Sequence, residues 1–242
     1  MILALLIAFS KVFALILFFQ FFFTGCVTCV DDVYYLETAI SILDSDFFVD
    51  SFSSVYLELV RLSEGIHIGY PIWGALSIWL FGEHYFAPIV SNIFTSVLCS
   101  LVARKIVLQT LNLDKKLVNF YFIFFSLHPE LISWSTVLNG KDTIVLLIHL
   151  LFILSFSYFR LAKLRKAIFI LSLVVLLSLG FRFYLPFFYL AILLAFVLLK
   201  MRGLQLFVSM GAIGGLVALL YGFYVPWWNY ALSLFVETFS NL

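Results

Sequence analysis

Asp31 and Asp32 stand side by side where the first apolar stretch of the chain gives out, with Tyr34-Tyr35 directly behind them. Two carboxylates at the mouth of a membrane span are hard to explain by packing, so they are the first candidates for chemistry, and the chemistry open to a carboxylate there is proton transfer. The cations that can face them lie far along the chain. Lys141 follows Asn139-Gly140 and precedes Asp142, and Arg182 interrupts the apolar run 167–199. Tyr35, His67, Tyr70, His128 and Glu130 complete the polar residues whose types suit contact with a bound ligand.

The elements that must position these residues follow from composition. Of 242 residues, 64% are hydrophobic and only 11% charged, a balance that excludes a soluble domain and marks an integral membrane protein. Net charge is +1, yet the charges are segregated. Residues 30–66 hold eight acids (Asp31, Asp32, Glu37, Asp44, Asp46, Asp50, Glu58, Glu64) against Arg61 alone. Bases cluster at Arg104, Lys105, Lys115 and Lys116, at Arg160, Lys163, Arg165 and Lys166, and at Lys200 and Arg202.

Short cytoplasmic loops retain Lys and Arg, so the three basic clusters are read as cytoplasmic. Spans of about 20 apolar residues then fall near 12–30, 84–103, 117–135, 143–159, 167–182, 183–199 and 204–224. The predicted fold is an all-α polytopic membrane protein of about seven transmembrane helices, one domain over 1–242, with its N-terminus cytoplasmic. Residues 67–81 are apolar, but a full crossing there would put the Arg104–Lys116 cluster outside, so a re-entrant or interfacial helix is expected. Within the external loop 30–66, Leu36, Ala39, Ile40 and Leu43, then Phe52, Val55, Tyr56 and Leu59, repeat at helical spacing and predict two juxtamembrane helices. The aromatic segment 225–242 reads as an interfacial tail.

With this topology Asp31, Asp32, His67, Tyr70, His128, Glu130, Lys141, Asp142 and Arg182 all share one side. Between Lys166 and Lys200, a hairpin gives two passes of about 16 residues, roughly 24 Å each and short for a bilayer, so Arg182 should sit below the surface and need an anion. That anion is Asp142 or a lipid phosphate, which suits the guanidinium fork. Asp142 also fits as a helix N-terminal charge, and Lys141 as a snorkelling side chain or a phosphate ligand. No cleaved leader is expected at residues 1–29; Cys26, Cys29 and Cys99 read as structural cysteines, His84 and His149 as structural histidines.

In order, Asp31-Asp32-x-x-Tyr35-x-x-x-Ala39, Gly69-Tyr70-Pro71 leading to Leu80-Phe81-Gly82, His128-Pro129-Glu130 with Trp134-Ser135, and Lys141-Asp142-Thr143 give a pattern along the chain. It resembles the GT-C superfamily of polyprenyl-phosphate-sugar-dependent glycosyltransferases, and most the bacterial branch related to protein O-mannosyltransferases and aminoarabinose transferases. The resemblance reaches to about residue 224; the chain departs from many members in having no further helices or soluble domain after that point.

The resemblance implies a seven-helix core in a bacterial inner (plasma) membrane. The implied reaction moves a sugar from a polyprenyl-phosphate donor to an acceptor hydroxyl at the extracytoplasmic face. Asp31 or Asp32 would be the general base of an inverting displacement. Arg182 and Lys141 would hold the departing phosphate, and Tyr35, His67, Tyr70, His128, Glu130 and Asp142 would contact substrate. A divalent cation such as Mg or Mn is left open, with Asp31, Asp32 and Asp142 as oxygen donors. The acceptor is a lipid, glycan or protein, a partner subunit is allowed for, and no nucleic acid is expected. Two other readings stand beside this one: a glycan polymerase or ligase using lipid-linked oligosaccharide, and a non-catalytic lipid flippase or assembly subunit.

Overall fold

The computed structural model describes residues 2–25, 27, 31–44, 59–61, 68–111, 113–182 and 184–200, with 211, 214, 215 and 218. Among the described residues the structure is all-helical, without strands. The helices are α1 (Ile2–Phe21), α2 (Asp31–Asp44), α3 (Gly69–Phe81), α4 (Ala87–Thr110), α5 (Lys115–Ser126), α6 (Pro129–Thr136), α7 (Asp142–Arg160), α8 (Leu164–Phe181) and α9 (Leu185–Lys200). Four of them, α1, α4, α7 and α8, are long and apolar enough to cross a membrane, as a membrane protein requires. The span expected at 204–224 and the tail at 225–242 lie outside the described residues, apart from four helical positions.

The sequence places the first span at 12–30, whereas α1 begins at Ile2 and ends at Phe21. Residues 2–10 are as apolar as those after them, so the helix extends toward the N-terminus and takes Lys11 inside it. The chain then turns at Gly25, whose φ of +120° suits glycine.

The span expected at 117–135 is two helices rather than one. Pro129 disfavours helical backbone at the residue before it, and His128 is extended at φ −58°, ψ 130°, which separates α5 from α6.

Helix α4 occupies the middle, packed against α1, α3, α5, α6 and α7. Apolar burial drives little association between helices in lipid, where small and polar side chains permit close packing instead. The buried side of α4 is built that way: Ser91, Asn92, Thr95, Ser96 and Ser100 lie along it. Ser100 and Thr95 return their hydroxyls to backbone carbonyls four residues back. Cys99, Val102, Leu147, Leu154, Tyr158 and Ala167 form the apolar seam that joins α4 to α7 and α8.

The two ends of the bundle differ in chemistry. At one end the basic residues gather: Lys105 lies 5.6 Å from the Tyr158 ring centre and Arg104 donates to Asn119 at 3.2 Å. Opposite, Phe19 of α1 packs on Tyr85 and Phe86 before α4, Asn92 of α4 reaches the Gly140 carbonyl before α7, and Gly69 of α3 meets Gly180 at the close of α8. A Cβ on Gly69 would lie 3.0 Å from the Gly180 carbonyl carbon and one on Gly180 3.2 Å from the Gly69 Cα, so the absence of side chains at both lets the two backbones approach this closely.

Helix α3 does not run alongside α4. Tyr70 and Ser77 are about 10 Å apart along a helix axis, yet they bond to the adjacent residues Asn92 and Ser91. It therefore crosses the start of α4 rather than running along it. Helix α2 packs on α3 where Gly74 meets Ala39; Leu36 and Ile40 turn inward as their spacing predicts, whereas Leu43, expected on the same face, is exposed and Ile42 packs in its place. Of the second predicted juxtamembrane helix, residues 51–58 lie outside the described residues.

Candidate active site at the bundle end

Asp31 and Asp32 do not close the first membrane helix; they open α2, after the connector that follows Phe21. Both carboxylates fall in the first turn, where the positive end of the helix dipole favours them. Their surroundings then separate them. Asp32 is 1% exposed and its Oδ2 accepts from the Val27 amide at 2.9 Å and from the Tyr85 hydroxyl. Asp31 is exposed, and its charge acts on Tyr35 and Lys141. The aspartate pair is thus one carboxylate held by the fold and one facing out.

Beneath Asp31 lies a chain of polar contacts that fixes four elements. The Asn139 amide donates to the Asp32 carbonyl at 2.9 Å, and its Oδ1 accepts from the Tyr70 hydroxyl at 2.8 Å. Asn92 donates to that same hydroxyl at 3.1 Å and to the Gly140 carbonyl at 3.0 Å. Tyr70 is fully buried, so it belongs to the floor of the site and not to a ligand surface. Its ring meets that of Tyr35 edge-on at 4.8 Å. Burial raises the pKa of both hydroxyls, with Asp31 adding to the effect at Tyr35 and the Asn92 hydrogen bond opposing it at Tyr70.

Lys141 caps α7 and is buried. Its amine donates to the Tyr35 hydroxyl and lies 4.9 Å from the centre of that ring. Burial lowers its pKa, Arg182 lowers it further, and Asp31 and Asp142 act in the opposite direction. Arg182 caps α8, where its amide donates to the Ser178 carbonyl. Its guanidinium reaches Asp142 at 3.4 Å, with side-chain exposures of 26% for Arg182 and 49% for Asp142. Such a half-exposed, long pair is weak, and the Arg182 Nε is buried without a hydrogen-bond partner among the described residues.

The structure therefore brings Asp31, Tyr35, Lys141, Asp142 and Arg182 to one place. It leaves His128 and Glu130 apart. Both are exposed at the break between α5 and α6, where His128 meets the Phe124 ring, and neither hydrogen-bonds or ion-pairs with the cluster. The reason is the Pro129 break, which ends α5 early and turns these residues away. His67 lies outside the described residues. His84 is exposed and stacks on Phe86, and the His149 ring nitrogen Nδ1 lies 2.8 Å from the Val145 carbonyl oxygen. Cys99 is buried and free, its thiol directed at the Thr143 carbonyl.

Among the described residues no three His, Cys, Asp or Glu side chains group as a metal site. Asp32 serves Tyr85 and Val27 while Asp142 serves Arg182, so the three aspartates do not converge as a ligand set.

Asn92, Asn139, Tyr85 and Trp73 carry weight that the sequence analysis does not assign them. An amide inside an apolar membrane helix is a signal in itself, and Asn92 shows it. Trp73 has no such signal; it lies one turn beyond Gly69, packs against the core cluster containing Tyr35, Tyr70 and Phe181, and buries its Nε1 with no acceptor among the described residues.

Compared with protein-family models, with curated proteins and with solved structures, the chain matches none.

Proposed function

We propose that this chain is a polytopic membrane glycosyltransferase with a GT-C-like core of about seven membrane helices, using a polyprenyl-phosphate sugar at the extracytoplasmic face. One observation carries the reading: an exposed carboxylate, Asp31, shares a bundle end with two part-buried or buried cations, Arg182 and Lys141. The opposite, basic end would be cytoplasmic, by the positive-inside rule.

Asp31 is the general base in this reading, because Asp32 is already committed as an acceptor. The acceptor hydroxyl gives its proton to Asp31 as its oxygen bonds to the anomeric carbon. The bond from that carbon to the phosphate oxygen breaks, and the electron pair leaves on the phosphate. Configuration inverts. The added negative charge falls beside Arg182 and Lys141, where low exposure strengthens the attraction. Arg182 Nε, a buried donor without a partner among the described residues, favours an acceptor-rich ligand beside it, since native structures seldom leave such groups unpaired.

A second reading is a non-catalytic subunit that binds lipid phosphate. It draws on the covering of Lys141 by Tyr35 and the pairing of Arg182 with Asp142, which leave the cations partly occupied.

Purified protein in lipid nanodiscs, supplied with a panel of polyprenyl-phosphate sugars and acceptor lipids, tests the choice. A glycosylated product of inverted configuration, lost in Asp31→Asn, supports the transferase. Donor binding that persists in Asp31→Asn, with no product from any donor in the panel by the native chain, supports the binding subunit.

A further inference from the structure

Among the described residues, the buried cation that the catalytic reading does not use is Lys11. It sits near the middle of α1, is 2% exposed, and makes no ion pair among the described residues. Its amine donates to Ser96 Oγ of α4 at 2.8 Å and to Ser135 Oγ of α6 at 3.1 Å. Both serines spend their own protons on backbone carbonyls, Ser96 on Ile93 at 2.7 Å and Ser135 on Leu131 at 2.6 Å. Their lone pairs are therefore left to accept, and Lys11 is the donor that meets both.

An ionisable side chain at that depth is costly unless it does something a leucine cannot. Here it ties α1 and α4 to α6, a helix of eight residues that is too short to be stable by itself. Ser135 is the next-to-last residue of α6. The connector that follows carries Asn139, which bonds to Asp32 and Tyr70, then Gly140, which bonds to Asn92, then Lys141. On its other flank the same helix end is held by Thr143, whose hydroxyl donates to the Trp134 carbonyl at 3.1 Å. Lys11 and Thr143 thus clamp the last turn of α6 from two sides. What that turn does decides where residues 137–141 go.

We propose that Lys11 is a positioning residue: an intramembrane amine that fixes the end of α6 and, through the connector 137–141, the placement of Lys141 and Asn139 for anion binding at the bundle end. The anion-binding part rests on the function proposed above; the mechanical part does not. The two are separable by experiment.

Lys11→Met keeps the length and removes the donor, Ser135→Ala removes the acceptor on α6, and Ser96→Ala leaves the tie to α6 in place. Amide hydrogen exchange over 137–141 in nanodiscs should rise about tenfold in the first two, which both lose the Lys11–Ser135 bond, and stay near native in Ser96→Ala, which keeps it. Affinity for undecaprenyl phosphate, the probe lipid, should fall about tenfold in the same two variants, the double variant should be no worse than Lys11→Met, and Ser135→Thr should restore binding. Native exchange rates in both Lys11→Met and Ser135→Ala overturn the proposal. So does faster exchange with unchanged affinity. If Lys11→Met does not fold, Ser135→Ala and its Thr rescue decide the question. If the native chain itself fails to retain the probe lipid, the proposed function falls, while the exchange measurement still decides whether Lys11 holds the connector.

Discussion

The amine of Lys141 donates to the hydroxyl of Tyr35 and lies 4.9 Å from the centre of the same ring, so one aromatic side chain both accepts from the cation and covers it. Tyr35 comes from α2 and Lys141 from the start of α7. The contact therefore joins the juxtamembrane layer to the membrane bundle at the proposed site.

Removing only the hydroxyl isolates the first of these roles. In Tyr35→Phe the ring remains and a buried amine loses its acceptor, a change that typically costs about 1–3 kcal/mol. We expect a lower unfolding temperature than for the native chain in the same nanodiscs. A melting temperature within half a degree of native would mean that Lys141 finds another acceptor at no cost.

The two aspartates should separate in mutants as they do in space. Asp31→Asn should lower transfer by about 10²–10⁴-fold, the usual contribution of a general base, with a stability loss under about 1 kcal/mol, because the side chain is exposed and only its helix-dipole interaction is removed. Asp32→Asn should destabilise the protein by about 1–3 kcal/mol, since it weakens buried bonds to Val27 and Tyr85. Measuring turnover and melting on both variants settles the assignment. The reverse pattern would make Asp32 the base.

Much of this site was legible because loop charge, which sets the side on which each residue sits, is independent of the site residues themselves. Asp31, Lys141, Asp142 and Arg182 meet as that argument expects. The relation between Asp31 and Asp32 was not legible, since it depends on Tyr85 and the Val27 amide approaching Asp32, and nothing local encodes that meeting. Tyr70 has the composition of a ligand contact and is instead fully buried, bonded to two asparagines from distant segments. The α5–α6 break carried a readable mark, the proline at 129, but apolar content across 117–135 outweighed it. Lys11 escaped because a span placed at 12–30 leaves it just outside the membrane, whereas α1 runs from Ile2 to Phe21 and takes it inside, where an ionisable side chain is a cost.

Lipid-phosphate retention should depend on pH through Lys141. Burial, and next Arg182, lower its pKa from the usual lysine value, so its positive charge is present at low pH and lost as pH rises through that lowered value. Affinity for undecaprenyl phosphate should therefore decline as pH rises, below the range in which an exposed lysine titrates. The unfolded chain holds its lysine proton longer, so this group makes the fold more stable, not less, across the same rise. Lys141→Gln should bind more weakly at neutral pH and show no such decline. An identical alkaline decline in Lys141→Gln would assign the effect to another group.

The crossing of Gly69 and Gly180 gives the most direct test of how α3 is seated. A methyl group at Gly69 meets the Gly180 carbonyl carbon at 3.0 Å, its oxygen at 3.1 Å and Phe181 Cδ2 at 3.1 Å, and two of these three are backbone atoms that a rotamer change cannot move. Gly69→Ala must then push the start of α3 away from the end of α8. Tyr70 is the next residue, so the displacement passes to Asn139 and Asn92, which hold its hydroxyl. We expect a loss of about 1–3 kcal/mol, the scale of overpacking, together with weaker lipid-phosphate binding. Gly140→Ala is the control: its methyl would meet only Asp142 Oδ2 at 3.6 Å, an ordinary contact, and the position needs no positive φ. It should melt within about half a kcal/mol of native. Equal stability losses in the two variants would show that the bundle end resists any added methyl group, and that the Gly69–Gly180 approach has no special part in seating α3.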